Sequence, residues 1–177
     1  MNKFLVLTPP RTGSTLLVNI IHGLFDPHEP VRLGTHEDSG SKFLIFKSHD
    51  INLLREDLLP SHVFTIISER PEINAVIPEK FQKSKSFKNV LALDYTNDLL
   101  YTSKYSEDNG KNAIDIIKGI AQKIQKKFNI FTSDDQIDNA LKRISEMNES
   151  YEKIKRLPFS EYNKFYHIHG SHRNRGK

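Results

Sequence analysis

Apolar positions fall in short continuous runs in the first half of the chain and at helical spacing in the second. Residues 3–7, Lys-Phe-Leu-Val-Leu, form a run closed by turn residues, which predicts a buried strand. After Thr8-Pro9-Pro10-Arg11-Thr12-Gly13-Ser14-Thr15 come Leu16, Leu17, Ile20, Ile21 and Leu24 at helical intervals, so the order is strand, tight loop, helix. A second run, Phe43 to Phe46, precedes Lys47-Ser48-His49-Asp50. Asp50 is placed to cap a short helix carrying Leu53, Leu54 and Leu58, which Pro60 stops. A third run, Val63 to Ile67, leads into Ser68-Glu69-Arg70-Pro71 and a further helix interrupted by Pro78.

Three apolar strands, each followed by a polar loop and a helical segment, predict βα units, an α/β class and a short parallel sheet. The C-terminal half reads as mainly helical. Ile114, Ile117, Ala121, Ile124 and Phe128 mark one amphipathic helix. Ile137, Leu141, Ile144, Tyr151, Ile154 and Leu157 mark another, opened by Ser133 with Gln136 in capping-box register and closed by Pro158. Residues 84–110 carry Tyr95, Tyr101 and Tyr105 without a clear period and read as a loop or irregular helix, with a lid over a site as the functional alternative. No internal repeat is present, and 177 residues fit one domain, 1–177.

Composition narrows the chemistry. With no Cys there is no disulfide framework, no thiolate metal site and no cysteine nucleophile, which excludes thiol proteases and cysteine phosphatases. The first apolar run is too short for a signal-peptide core, and no run approaches the ~18 residues of a membrane span, so the expectation is a soluble, cytoplasmic protein. The net charge of +4 resides in the tail: from Asn163 onward there are Lys164, Arg173, Arg175 and Lys177 and no acid. Basic residues so confined argue against a duplex-binding domain and for a locally held polyanion or a solvated terminus.

In an open parallel sheet, ligands bind at the carboxyl ends of the strands, where all three polar loops lie. In the first loop, Gly13 lets the backbone approach an anion, and the amides of Ser14 and Thr15 open a helix. Arg11 adds a guanidinium suited to phosphate or sulfonate oxygens. The Walker pattern GxxxxGK[ST] is absent, since no Lys follows Gly13, and Asp50 is the only candidate magnesium carboxylate. ATP hydrolysis is therefore disfavoured.

Pro10-Arg11-Thr12-Gly13-Ser14-Thr15-Leu16-Leu17 after a strand resembles the phosphosulfate-binding loop of the PAPS-dependent sulfotransferases, Pro-[Lys/Arg]-[Ser/Thr]-Gly-[Ser/Thr]-[Ser/Thr] followed by an aromatic residue or Leu. Lys47-Ser48-His49 resembles that family's Lys-Thr-His, whose His is the base in many members. His169-Gly170-Ser171-His172-Arg173-Asn174-Arg175 faintly resembles a His…Gly-Asn-x-x-Arg segment of some members. These matches cover about a tenth of the chain. The resemblance implies a three-layer P-loop NTPase-like fold and 3′-phosphoadenosine 5′-phosphosulfate as donor, with the 3′,5′-bisphosphate as product and no metal required. Arg11, Thr12, Gly13, Ser14, Thr15 and Arg70 would hold the donor, with Arg173 and Arg175 from the tail.

The third strand departs from the pattern. Its usual Arg-[Asn/Asp]-Pro is followed by a Ser eight residues after the Arg, and both bind the donor's 3′-phosphate. Anchoring on Pro71 puts Glu69 and Ile77 at those two positions; anchoring on Arg70 puts Pro78 at the second. The serine is absent in either register.

The chemistry that follows is sulfonyl transfer to a hydroxyl or amine, with His49 as base and Arg11 and Lys47 neutralising charge on the leaving phosphate. The acceptor, a small molecule or a glycan, is not legible, nor is the oligomeric state. A nucleotide kinase or other phosphoryl transferase on the same fold is one alternative. A non-catalytic nucleotide- or polyanion-binding module is another. His167, His169 and His172 suggest a metal tract by composition only, without an acid nearby.

Overall fold

A computed structural model describes residues 2–34, 43–54, 62–99, 112–154, 157 and 162–169. Its centre is a five-stranded sheet in the order β2-β3-β1-β4-β5, parallel throughout. The strands are β1 (Asn2–Leu7), β2 (Arg32–Leu33), β3 (Phe43–Ser48), β4 (Val63–Glu69) and β5 (Val90–Asp94). Three long helices are described: α1 (Ser14–Phe25), α2 (Ala113–Phe128) and α3 (Asp134–Ile154). A short antiparallel hairpin pairs β6 (Tyr162–Asn163) with β7 (Ile168–His169). Among the described residues no helix is long and apolar enough to cross a membrane.

Strand alternation divides the core in two. Phe4, Val6, Ile45, Ile66, Leu91 and Leu93 face one way, into a cluster with α1, α2 and α3. Leu5, Leu7, Phe46, Ile67 and Val90 face the other way, onto Leu54, Ile77 and Phe81. That second face is covered among the described residues by 3₁₀ turns, Ile51–Leu54 and Glu79–Ser86, not by a long helix. The result is an α/β arrangement of three unequal layers. A parallel sheet needs both faces covered, and among the described residues one face is covered by turns that contribute Leu54 and Phe81.

Helix α1 lies between sheet and α3, which explains why every residue from Leu17 to Phe25 is buried. Phe25 stacks on Phe4 of β1 at 4.7 Å between ring centroids. On its other side α1 meets α3 so closely that a Cβ on Gly23 would lie 2.3 Å from the Cα of Ala140.

The central sheet has two strands beyond the three expected, and the β6–β7 hairpin is a further addition. Val90–Asp94 is a strand inside the stretch read as loop, and it is followed by a π-helical turn, Tyr95–Leu99. The helix expected after Pro71 is only a 3₁₀ turn, Pro71–Ile73, ended by Asn74 in the left-handed region and closed by an Arg70–Ala75 bridge. Leu157 lies past α3 and is 45% exposed, so it does not extend the helix's apolar stripe. Leu58, Pro60, Tyr101, Tyr105 and Pro158 lie outside the described residues.

The Gly23–Ala140 contact leaves no room for a methyl group. Gly23→Ala is expected to lower stability by about 1–3 kcal/mol through overpacking, a fall in Tm of roughly 2–4 °C per kcal/mol for a chain of this length. Thermal and urea unfolding of the variant check this; an unchanged midpoint would show that α3 can slide off the contact without cost.

Candidate functional site

The strand order creates a switch point. From β1 the chain crosses to edge strand β2, whereas from β4 it passes to β5 on the opposite edge, although β1 and β4 are neighbours. Outgoing connections therefore diverge between the carboxyl ends of β1 and β4, and a crevice forms there. The loop Thr8–Gly13 lies at that position.

This loop is held in an unusual backbone. Pro9 and Pro10 end the strand, Arg11 has φ 68° and Gly13 φ 76°. A non-glycine residue in the left-handed region costs about 1–2 kcal/mol, so the loop must be held from outside. Hydrogen bonds do so from both sides. Thr12 Oγ1 donates to Pro9 O at 2.8 Å, and Ser68 Oγ of β4 donates to Thr12 O at 2.7 Å. From β3, the Ser48 carbonyl accepts from Thr8 N at 3.2 Å, and His49 Nδ1 donates to Thr8 O at 2.7 Å. Gly13 is required for a second reason: a Cβ there would lie 2.9 Å from the Tyr95 ring.

Helix α1 begins at Ser14 with no side-chain cap and no acid in its first turn. Its first turn consequently has no capping side chain on its amides and carries the positive end of the helix dipole. The other two long helices are finished differently. Asn112 caps α2, and Ser133 and Gln136 form a reciprocal box at α3.

Lys47 points into the same place. It is 2% exposed, and its Nζ donates to Thr15 Oγ1 at 2.9 Å. No carboxylate among the described residues pairs with it. Burial lowers its pKa to about 8, because a desolvated ammonium without a counter-ion is disfavoured. Thr8 Oγ1, at the start of the loop, is also buried and has no hydrogen-bond partner. A buried cation, an uncapped helix start and an orphaned hydroxyl fit an oxyanion group such as sulfonate or phosphate.

His49 follows β3 and is exposed at its surface. Since a carbonyl can only accept, the Nδ1 contact to Thr8 O fixes the proton on Nδ1 and leaves Nε2 with a free lone pair. Burial of the ring's inner side lowers its pKa, partly offset by the Thr8 bond and reinforced by Lys47, so the imidazole is neutral at pH 7. Arg11 is exposed and has no ion-pair partner among the described residues. Thr12, by contrast, is fully buried with its hydroxyl turned to Pro9. It fixes the loop and does not present its hydroxyl at the surface. Ser14 is buried and Thr15 half-buried at the helix start.

The third strand end is arranged otherwise. Arg70 bonds Glu72 through Nε at 3.1 Å and lies 4.6 Å over the Tyr95 ring, whose edge faces Gly13. It reaches the loop through Tyr95. Glu69 and Ile77, the two positions eight residues apart, do meet: the Glu69 carboxylate accepts from Ile77 N at 2.7 Å and pairs with Lys85 at 2.5 Å. The Ile77 side chain is buried in the core. A carboxylate thus stands where the resemblance implies a cation. Asp50 is engaged as a cap, its Oδ1 accepting from Asn52 N and Nδ2. Arg173, Arg175 and His172 lie outside the described residues. Among the described residues no group of three or more His, Asp or Glu is placed to hold a metal ion.

Reading the sequence missed Thr8 and Ser68 as parts of this site, although both were legible as strand-end hydroxyls. Tyr95 stood out only as one of three tyrosines in an aperiodic stretch; its place against Gly13 was not legible, because the strand that positions it was unrecognised. No protein-family model and no curated protein matches this chain.

Lys47 gives the site a pH signature. Its folded-state pKa of about 8 lies below the ordinary 10.5, so the cost of holding it charged is present below pH 8 and is relieved as pH rises from about 8 to 10.5. Stability of the protein relative to Lys47→Met is expected to rise across that window. At pH 7 millimolar sulfate should raise the Tm of the unmodified chain more than that of Lys47→Met, and the difference should fade above pH 8. Comparing the two proteins removes sulfate's general salting effect. Equal sulfate response in both would remove Lys47 from the site.

Proposed function

We propose that this chain transfers a sulfonyl group from 3′-phosphoadenosine 5′-phosphosulfate to a hydroxyl or amine acceptor. The observation that carries the reading is the Lys47 ammonium, buried with no carboxylate partner among the described residues against the uncapped start of α1. A parallel sheet with a strand–loop–helix anion site at its switch point supports a P-loop-like arrangement.

In this mechanism the Ser14 and Thr15 amides and Arg11 bind the donor's phosphosulfate. His49 Nε2 takes the acceptor's proton as the acceptor oxygen or nitrogen bonds to sulfur. The bond from sulfur to the bridging oxygen breaks, and the electron pair leaves with the 5′-phosphate. Lys47 and Arg11 neutralise the charge that grows there, Lys47 from a buried position where water screens it little. Nothing in these steps calls on a metal ion, because the migrating group carries less charge than a phosphoryl group. The acceptor is proposed as a small molecule or a glycan.

A second reading, phosphoryl transfer from a nucleotide without a 3′-phosphate, is favoured by the Glu69 carboxylate. Thermal unfolding separates the two. A ligand at 100 times its Kd stabilises by ~2.7 kcal/mol, roughly 5–10 °C here. Stabilisation by 3′-phosphoadenosine 5′-phosphate is expected; stabilisation by ATP with magnesium alone would transfer the assignment to phosphoryl transfer.

With a sulfonyl acceptor in hand, His49→Ala should lower kcat by about 10²- to 10⁴-fold, the usual contribution of a positioned base. The pH profile of kcat/KM should have an acid limb below 6.5, from His49, and an alkaline limb near 8, where Lys47 loses its proton. Full activity in both His49→Ala and Arg11→Ala would overturn these roles.

A further inference from the structure

A second site lies along the same helix. A cavity of about 400 Å³ opens between α3, the turn after α1 and the β6–β7 hairpin, with Arg143 in its wall. The volume is within the range of ~300–1,000 Å³ that small-molecule sites occupy.

Arg143 is 2% exposed. Its Nε donates to Asn19 Oδ1 at 3.0 Å, one Nη to Pro27 O at 2.8 Å and the other to Phe165 O at 3.3 Å. A guanidinium has five N–H groups, so one N–H on each Nη is left over. All three acceptors are neutral, and no carboxylate lies within ion-pair distance among the described residues. Full burial of an arginine normally comes with a directly paired anion; here the Asp26 and Glu146 carboxylates act on Arg143 only from beyond ion-pair distance.

The walls have the matching chemistry. Lys142 and His28 also line the cavity, and its one acid, Glu146, accepts the Tyr166 hydroxyl at 2.9 Å. Phe165 and Tyr166 meet edge to face at 4.8 Å and lie under the guanidinium at 4.6 and 5.4 Å. They supply a flat apolar surface beside the spare donors. Burial also lowers the Arg143 pKa to about 10, an effect that Tyr166, Asp26 and Glu146 only partly offset.

We propose that this cavity binds a small organic anion, one carboxylate or phosphate group on a flat apolar body, with Arg143 as the fork that holds the charged end. The site is separate from the loop at Gly13, since the cavity is lined by the turn after α1, by α3 and by the hairpin, and by no residue of that loop or of the strand ends beside it. It does not depend on the sulfonyl-transfer reading.

The test is a titration of the isotope-labelled full chain with phenyl phosphate, benzoate and the neutral control benzyl alcohol, followed by amide shifts. Saturable shifts at His28, Asn139 and Tyr166 with either anion, and not with the alcohol, are expected. Arg11→Ala should leave them intact. Lys142→Glu, an exposed position that does not threaten folding, should weaken binding about tenfold, as for loss of a charge-assisted contact. Arg143→Lys should abolish it, and if that variant fails to fold, Lys142→Glu decides. Shifts confined to residues 11–16, an equal response to benzyl alcohol, or no saturation would overturn the proposal. Preference between benzoate and phenyl phosphate identifies the anion.

Discussion

Everything functional in this chain depends on where α1 is allowed to lie, and that is set by one contact. Gly23 has no side chain, and Ala140 presses its backbone into the gap. The close approach brings α3 along the flank of α1, so that Arg143 reaches Asn19 and the hairpin carbonyl of Phe165. Asn19 completes the join, donating to Thr15 O and to Tyr166 O. A larger residue at position 23 would separate the helices, and the buried guanidinium would lose partners it cannot replace from water. Dispersion and polar satisfaction are therefore coupled at this interface: neither is attainable without the other.

The same helix carries the site's electrostatics. Its start is positive by construction, because the amides of the first turn have no partners in the helix. Ordinarily a cap or an acid offsets this, as at α2 and α3. At α1 the fold instead adds a second positive group, Lys47, and buries it. Two like-signed features in a low-dielectric crevice destabilise the empty protein and favour an anion by the same energy. The left-handed Arg11 follows this logic, since its backbone strain is sustained by bonds from β3 and β4.

The central strand, its loop and α1 were legible in the sequence because each rule pointed the same way: a short apolar run, then Pro and Gly, then a 3.6-residue period. Both long C-terminal helices were legible for the same reason. Val90–Asp94 was not: its run Val90-Leu91-Ala92-Leu93 is as long as Phe43–Phe46, but Leu and Ala favour helix as readily as strand and the run lies inside a polar, aromatic stretch. The expected helix after Pro71 failed because Asn74 adopts a left-handed turn and Arg70 pairs back with Ala75, a choice that local apolar spacing does not encode. Arg143 illustrates a deeper limit. On the sequence it is one cation among many on an amphipathic helix, and only the crossing of α1 and α3 shows that it is buried.

A continuous line of hydrogen bonds runs from Lys47 to Thr15, from Thr15 through its carbonyl to Asn19, and from Asn19 to Arg143. It begins and ends on a buried cation without a carboxylate partner. Between them are a hydroxyl and an amide, both neutral and both fully fixed in orientation. Such a line cannot relay a charge. What it does is hold the two cations in one rigid frame, on α1 residues one helical turn apart. Asn19 is the joint of that frame: its amide nitrogen fixes the first turn of α1 that Lys47 contacts, and its oxygen fixes the guanidinium of Arg143. A change at Asn19 would therefore disturb both ends at once.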